Sequence, residues 1–338
     1  MSWYAIDNLD DAITATTDFL TPVDWRTWIK LAVVVFFVGG PGGGFNAGQA
    51  NVPTSGGREP GGPATGIPPV EDFLAVVEPW MVAIAAAVGV FLLFLQFVGA
   101  VMEFVLLAAL RDQRVTIRRS WRAHWRAGAR LFGFRIALLV IGLAVLGVAL
   151  ATVLLPMLGM GSPLGPVLGA VFLIPLGILV LIVLALVMGF TTQFVAPVML
   201  IEGRSVLGAW RRFWPTLRAD WKQYAVYVAL SVVLSIAAGI LTAIAGLIAV
   251  LGLLIPFGIL GLVAYGLFVA AELAGVVFGA IVLILFVIAL VVVFTLIRAP
   301  IVTYLRYYAL LVLGDSNDAF DLIPDLRRRV REPAPADE

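Results

Sequence analysis

Five of the charged or polar residues that stand inside long apolar stretches of this 338-residue chain are the candidates for chemistry. They are Glu103, Arg135, Thr192, Gln193 and Arg298. Because a charged group is costly to bury in lipid, such residues pair with one another, reach water, or mark a path for a solute. Two interpretations remain open: a polar site that binds an ion or small solute, or hydrogen bonds that hold neighbouring helices together.

The sequence predicts that Glu103 is paired. Glu103 lies eight residues before Arg111, and Arg298 lies eight residues before Arg306. Both segments are expected to run in the same direction, so each group sits about 12 Å before its arginine along the helix axis. This equal depth makes Arg298 the leading partner, with Arg135 as the competing one.

No catalytic constellation is recognisable. The chain contains no cysteine and one histidine, His124, so thiolate chemistry and paired-histidine metal sites are excluded. HExxH, GxSxG and P-loop motifs do not occur in it. We expect no enzymatic activity and no cofactor.

The elements that position the polar residues are membrane helices. Hydrophobic residues make up 62% of the chain and charged residues 13%, whereas a soluble domain is roughly half apolar and a quarter charged. Because a crossing needs about 20 apolar residues, the apolar runs predict an all-α polytopic bundle of six transmembrane helices, with interfacial amphipathic helices beside them. The spans cover about 23–39, 79–110, 131–155, 166–201, 224–250 and 274–297.

The segment 251–273 is apolar but interrupted by Pro256, Gly258 and Gly261, which predicts a re-entrant or interfacial hairpin. Counted as a crossing, it would give seven spans. The positive-inside rule decides against that, because six spans put the arginine-rich C-terminus in the cytoplasm and seven put it outside. We therefore expect a protein of the cytoplasmic membrane with both termini inside.

Two loops interleave arginine with tryptophan. One face of the first carries Arg114, Arg118, Arg122 and Arg126, and one face of the second carries Arg204, Arg211 and Arg218. Trp121, Trp125, Trp210 and Trp221 mark the opposite faces. This pattern predicts amphipathic helices in the inner interface, with tryptophan toward the bilayer or bundle and arginine toward anionic lipid headgroups. Pro215 is expected to break the second helix. Nucleic-acid binding is not expected, because the aromatic side chains face lipid.

The remaining segments divide the chain. Residues 1–22 form a predicted amphipathic surface helix whose apolar stripe is Trp3, Ile6, Leu9, Ile13 and Leu20. Residues 23–313 form the six-span domain. Within it, 16 of the 30 residues from 40 to 69 are Gly or Pro, which predicts a disordered external loop. Residues 314–338 are expected to be a charged cytoplasmic tail.

A weak internal repeat runs through the chain. "RVTIRRSWRAHW" and "RSVLGAWRRFW" each follow an acid-x-Arg turn, Asp112-Gln113-Arg114 and Glu202-Gly203-Arg204. "TTQFVAPVML" and "FTLIRAPIVTY" share Ala-Pro, at Pro197 and Pro300. Such prolines release a backbone carbonyl one turn earlier, and another group must then bond it.

The segment "FVAPVMLIEGRSVLGAWRRFW" resembles the membrane domain attached to some glycerophosphodiester phosphodiesterases, over roughly residues 90–310. "MSWYAIDNLDDA" and "RYYALLVLGDSNDAFDLIPD" resemble an uncharacterised family of archaeal halophile membrane proteins, over nearly the whole chain. Both resemblances imply a helical membrane domain. With one histidine in the chain, neither transfers a catalytic residue.

We expect a membrane scaffold or accessory subunit. The alternative is a small-solute or ion transporter that uses the polar cluster around Glu103. Protein partners remain unknown. A homo-oligomer is possible, since Gly165/Gly169 and Gly275/Gly279 offer faces for close helix packing.

Overall fold

The computed structural model describes residues 4–21, 24–39, 78–157, 167 and 169–331, and this part of the chain is helical and without strands. Its α-helices are α1 (Tyr4–Leu20), α2 (Trp25–Gly39), α3 (Pro79–Asp112), α4 (Ile117–Met157), α5 (Ile174–Phe190), α6 (Ala196–Glu202), α7 (Val206–Ala219), α8 (Trp221–Ala270), α9 (Glu272–Ser316) and α10 (Pro324–Arg331). Two π-helical turns, Gly169–Leu173 and Thr191–Val195, flank α5, and a 3₁₀ turn, Asp318–Phe320, precedes α10.

Five helical stretches are long and apolar enough to cross a membrane. They are Pro79–Asp112, Ile117–Thr152, Val171–Glu202, Trp221–Ala270 and Glu272–Ser316. The first predicted span corresponds to α2, whose 15 residues fall short of the usual crossing length. The predicted Gly/Pro loop at 40–69 lies outside the described residues.

Helices α8 and α9 form a long antiparallel hairpin. The break expected at Pro256, Gly258 and Gly261 was wrong, because α8 continues through Pro256 to Ala270. Packing along α9 holds the helix together where proline removes one hydrogen bond. Gly275 lets the hairpin close, since a Cβ there would lie 2.2 Å from the Cα of Phe268. Residues 251–270 are therefore the C-terminal part of the 50-residue helix α8. That they do not form a separate crossing remains a prediction.

The two ends of the bundle differ in packing. Side chains are buried in the last third of α3, around the π-turn at Thr191–Val195, and from Arg306 to Gly314 of α9. The opposite halves of the same helices are mostly exposed. The protein thus has one compact end and one splayed end, and the polar residues of α3, α4 and α9 lie where the two meet.

Helix α1 packs on α9 through small residues. Ala5, Asn8, Ala12 and Ala15 are fully buried. Ile6 and Ile13 of the predicted stripe are 49% and 54% exposed, and the placement of this helix on the membrane surface remains a prediction. Small side chains allow two helix backbones to approach closely. The bulky apolar side chains of Ile6 and Ile13 are instead exposed at the surface of the bundle.

The described part of the predicted C-terminal tail is a folded cap. Phe320, Leu322, Ile323 and Leu326 are buried against the compact end, and burial of these four apolar side chains holds the segment in place.

Ion pairs join this cap to α1. Arg331 contacts Asp11 at 2.9 Å and Asp315 at 2.7 Å. The hydrogen bond to Asp315 raises the pKa of Arg331 above its usual value, so the guanidinium stays charged. The first and last described helices therefore meet at the same end of the bundle.

The two Arg/Trp segments are helical as predicted, but they differ in arrangement. The first is the start of α4, a single helix of 41 residues and about 60 Å, twice the thickness of a bilayer core. It cannot lie flat in the interface while the rest of α4 stands upright, so the predicted geometry of this segment was wrong. Nothing between Arg130 and Leu131 breaks a helix. The second segment, α7, is a separate helix that passes through Pro215 without the expected break.

Candidate functional site

A buried ion-pair network joins α3, α4 and α9. The carboxylate of Glu103 accepts a hydrogen bond from Nη2 of Arg306 through Oε1. Its other oxygen, Oε2, lies 3.6 Å from Nη2 of Arg135. Glu103, Arg306 and Arg135 are 1%, 2% and 4% exposed. The prediction that Glu103 is paired is confirmed.

A π-helical turn supplies the acceptors for both arginines. In this turn the N–H of Ala196 donates to the carbonyl of Thr191, five residues earlier. The next bond of the same kind would need an N–H at residue 197, and Pro197 has none. The carbonyl of Thr192 is thereby left without a helical donor. Nη1 of Arg306 donates to it at 2.8 Å.

Three consecutive polar residues of this turn contact three different helices. Thr191 Oγ1 accepts from Nε1 of Trp210 on α7 at 2.9 Å. Thr192 Oγ1 accepts from Nη2 of Arg135 on α4 at 3.0 Å. Gln193 Oε1 accepts from Nη1 of Arg306 on α9 at 2.9 Å. The turn is the junction of the compact end, consistent with the frequent use of π-bulges at functional positions.

Four of the five residues of the predicted cluster lie together, and the fifth place is taken by a different arginine. Glu103, Arg135, Thr192 and Gln193 meet, but Arg306 takes the place expected for Arg298, so the leading partner was wrong. Equal depth was a poor guide, because a long helical side chain leans toward the N-terminus of its own helix. Helix phase matters as well, since eight residues rotate a side chain by about 80°. Arg306 therefore points to a different side of α9 from Arg298. The spacing of Arg306 from the other polar residues in the sequence did not indicate that it would join the cluster.

A cavity adjoins the network on the side of Arg306. It has a volume of about 100 Å³ and is bordered by α2, α5, α8 and α9. Arg306 and Gln193 form part of its wall, together with Tyr227 and Ser235. The volume exceeds the roughly 10–15 Å³ that one water needs, so a small ion or several waters fit beside the charged groups.

The arginines expected to contact lipid headgroups are at the surface. Arg114, Arg118, Arg122, Arg126, Arg204, Arg211 and Arg218 are all exposed. Trp121 and Trp210 pack against the core, as predicted. Trp125 and Trp221 are 46% and 61% exposed, and their orientation toward lipid remains a prediction. Among the described residues, no group of three His, Asp or Glu side chains is placed to hold a metal ion.

The acid-x-Arg turns of the internal repeat have the same backbone conformation. Gln113, which ends α3, has φ of 53°, and Gly203, which ends α6, has φ of 66°. Left-handed residues commonly terminate helices in this way. The two turns are thus equivalent in structure as well as in sequence.

The comparisons with known proteins identify a family without assigning a role. The chain belongs to a family of unknown function, DUF7544, which it matches over residues 3–323. No curated protein matches it. No solved structure matches it. The match supports the expected membership of an uncharacterised family covering nearly the whole chain. The archaeal origin and the resemblance to the phosphodiesterase membrane domain remain predictions.

Replacing Pro197 by Ala should destabilise the protein by about 1 kcal/mol, although alanine is the better helix former. The new N–H would bond the carbonyl of Thr192 and compete with Arg306. The free energy of unfolding in detergent, followed by tryptophan fluorescence, measures the effect. Pro215→Ala is the matched control, because Pro215 is exposed inside α7. This control should stabilise the protein, and equal signs for both variants would contradict the proposed role of Pro197.

Proposed function

We propose that this chain is a non-catalytic integral protein of the cytoplasmic membrane, acting as a scaffold or accessory subunit. One observation carries the proposal. In each of the five candidate spans, at most 6% of the most hydrophobic 18-residue window is buried within the chain. Apolar helices with so little internal contact offer their surface to lipid and to other membrane proteins. The buried charged groups of α3, α4 and α9 instead meet in one network, where the compact and splayed ends join.

The α8–α9 hairpin offers the longest such surface. Arg306 lies 34 residues from the start of α9, about 51 Å, while Glu103 lies 24 residues from the start of α3, about 36 Å. Since both residues meet in one network, the hairpin extends about 15 Å further than α3. Leu262, Val269 and Leu273 are exposed near its end, by 73%, 71% and 78%.

A photo-crosslinking residue at each of these three positions tests the scaffold role in native membranes. The expected result is a discrete crosslinked membrane protein, or a second copy of this chain, from at least one position. Leu93→crosslinker on α3, 45% exposed, serves as a comparison on a shorter helix. Lipid adducts alone at all four positions would exclude the scaffold or accessory role.

The proposed topology has six spans, including α2, with both termini cytoplasmic. Contact between Arg331 of α10 and Asp11 of α1 supports an even number of crossings between them. The exposed arginines at this end support its placement on the cytoplasmic side, beside anionic headgroups. No nucleic acid enters this proposal.

Single-cysteine labelling tests this topology, since the natural chain has no cysteine. Leu273→Cys, at the hairpin end, should react with a membrane-impermeant thiol reagent in intact cells. Ala319→Cys, exposed in the 3₁₀ turn, should react only after the membrane is permeabilised. Rapid labelling of Ala319→Cys in intact cells would rule out the six-span topology.

The cavity beside Arg306 and Gln193 favours a second candidate, the transport of a small solute or ion. Uptake into proteoliposomes distinguishes the two functions. Saturable uptake that Gln193→Ala abolishes, in a variant that remains folded, would establish transport. Absence of saturable uptake would leave the scaffold role as the explanation.

A further inference from the structure

The buried network carries an excess of positive charge. Glu103 contributes one negative charge, whereas Arg135 and Arg306 each contribute a positive one. All three side chains are at least nine-tenths buried. A buried cation without a counter-charge is strongly unfavourable, so one further negative charge would balance the site.

The hydrogen bonds show that Arg135 is the arginine whose positive charge and N–H donors are not fully matched. A guanidinium has five N–H donors. Nη2 of Arg135 faces Thr192 and Glu103, whereas Nε and Nη1 are buried without a partner in the part of the chain that the structure describes. Arg306, by contrast, uses both Nη1 and Nη2. Three N–H groups of Arg135, one on Nε and two on Nη1, therefore lack an acceptor within the described residues.

We infer that Arg135 binds an oxyanion, a phosphate or carboxylate group, which completes the Glu103–Arg306–Arg135 network. Guanidinium groups match the planar and tetrahedral oxygens of such anions, and charge-assisted hydrogen bonds to them are short and strong. A cavity bordered by Arg306 and Gln193 adjoins the network, and Arg135 is not among the residues that line it. The anion is either free in solution or the headgroup of an anionic phospholipid. This site does not depend on the scaffold role.

Thermal unfolding of the purified full chain in neutral detergent tests the inference, with tryptophan fluorescence as the signal. Sodium phosphate replaces sodium chloride at constant ionic strength in one series. In the other, phosphatidylglycerol replaces phosphatidylcholine in mixed micelles. Binding should raise Tm saturably, by about 3–6 °C at saturation.

The two series separate the sources of the anion. A saturable rise with phosphate indicates a free anion, and a rise with phosphatidylglycerol alone indicates a lipid headgroup. No saturable rise in either series would overturn the inference. Crosslinking at the α8–α9 hairpin is unaffected by either result, so this failure is distinct from failure of the scaffold role.

Charge balance gives opposite expectations for two variants. Arg135→Gln should lose the rise in Tm, because it removes both the excess charge and the free donors. Glu103→Gln should bind the anion about tenfold more tightly or better, since it increases the charge imbalance. Arg126→Gln, exposed on the same helix as Arg135, is the control and should respond like the natural chain.

The inference can still be tested if the Arg135→Gln variant does not fold. If Arg135→Gln does not fold, Arg135→Lys retains the charge without the planar fork and should weaken binding at least several-fold. An unchanged anion response in Arg135→Gln or Arg135→Lys would overturn the site. Equal or weaker anion binding by Glu103→Gln would overturn it as well.

Discussion

Glu103→Ala should lower the free energy of unfolding by about 3–5 kcal/mol, the range for removing one partner of a buried ion pair. The substitution leaves Arg306 and Arg135 together, buried and without their carboxylate. Their repulsion and desolvation, rather than the lost volume, dominate the cost. Denaturant titration in detergent micelles, followed by tryptophan fluorescence, measures the change.

Two comparisons separate this electrostatic cost from other effects. Glu272→Ala removes an exposed carboxylate at the start of α9 and should change stability by less than about 0.5 kcal/mol. The triple variant Glu103→Leu, Arg135→Met and Arg306→Met removes all three charges together. It should recover most of the stability that Glu103→Ala loses, because apolar replacements of a whole ion cluster are often neutral. A triple variant less stable than Glu103→Ala would contradict this account.

Gly128→Ala should destabilise the protein by about 1–3 kcal/mol and weaken the contact between Glu103 and Arg135. A Cβ at residue 128 would lie 2.7 Å from the Cα of Val101 and 2.6 Å from its Cγ2. Because one of these atoms is backbone, α3 and α4 must move apart to accept the methyl group. Glu103 and Arg135 belong to these same two helices, so their separation should increase.

Gly133→Ala, five residues further along α4, is the matched control. Nothing lies within 4 Å of a Cβ at that position. It should stabilise the protein by about 0.5–1 kcal/mol, through the higher helix propensity of alanine. The two variants make the same chemical change on the same helix, so a difference in sign isolates the close approach of α3 and α4. Stabilisation by Gly128→Ala would disprove it.

Local pattern determined much of the architecture. The apolar runs specified long helices, because a run of 20 or more apolar residues has few other ways to satisfy its backbone. The helical Arg/Trp segments and the matching turns at Gln113 and Gly203 followed from short motifs whose preferences act within a few residues. The pairing of Glu103 followed from the cost of burying an isolated charge, which holds whichever helix supplies the partner.

Properties set by more than one helix could not be read from the sequence. The choice of Arg306 over Arg298 depends on the rotation of α9 and the lean of its side chains. The use of small residues by α1 depends on how closely α9 approaches it. The junction at Thr191–Val195 depends on coupling between Pro197 and an arginine more than 100 residues away. A proline in the sequence indicates that an earlier carbonyl lacks its helical donor. Which other donor bonds that carbonyl depends on how the helices pack. Hydrophobic pattern fixes where helices occur, while their relative phase and depth come from contacts between residues far apart in the chain.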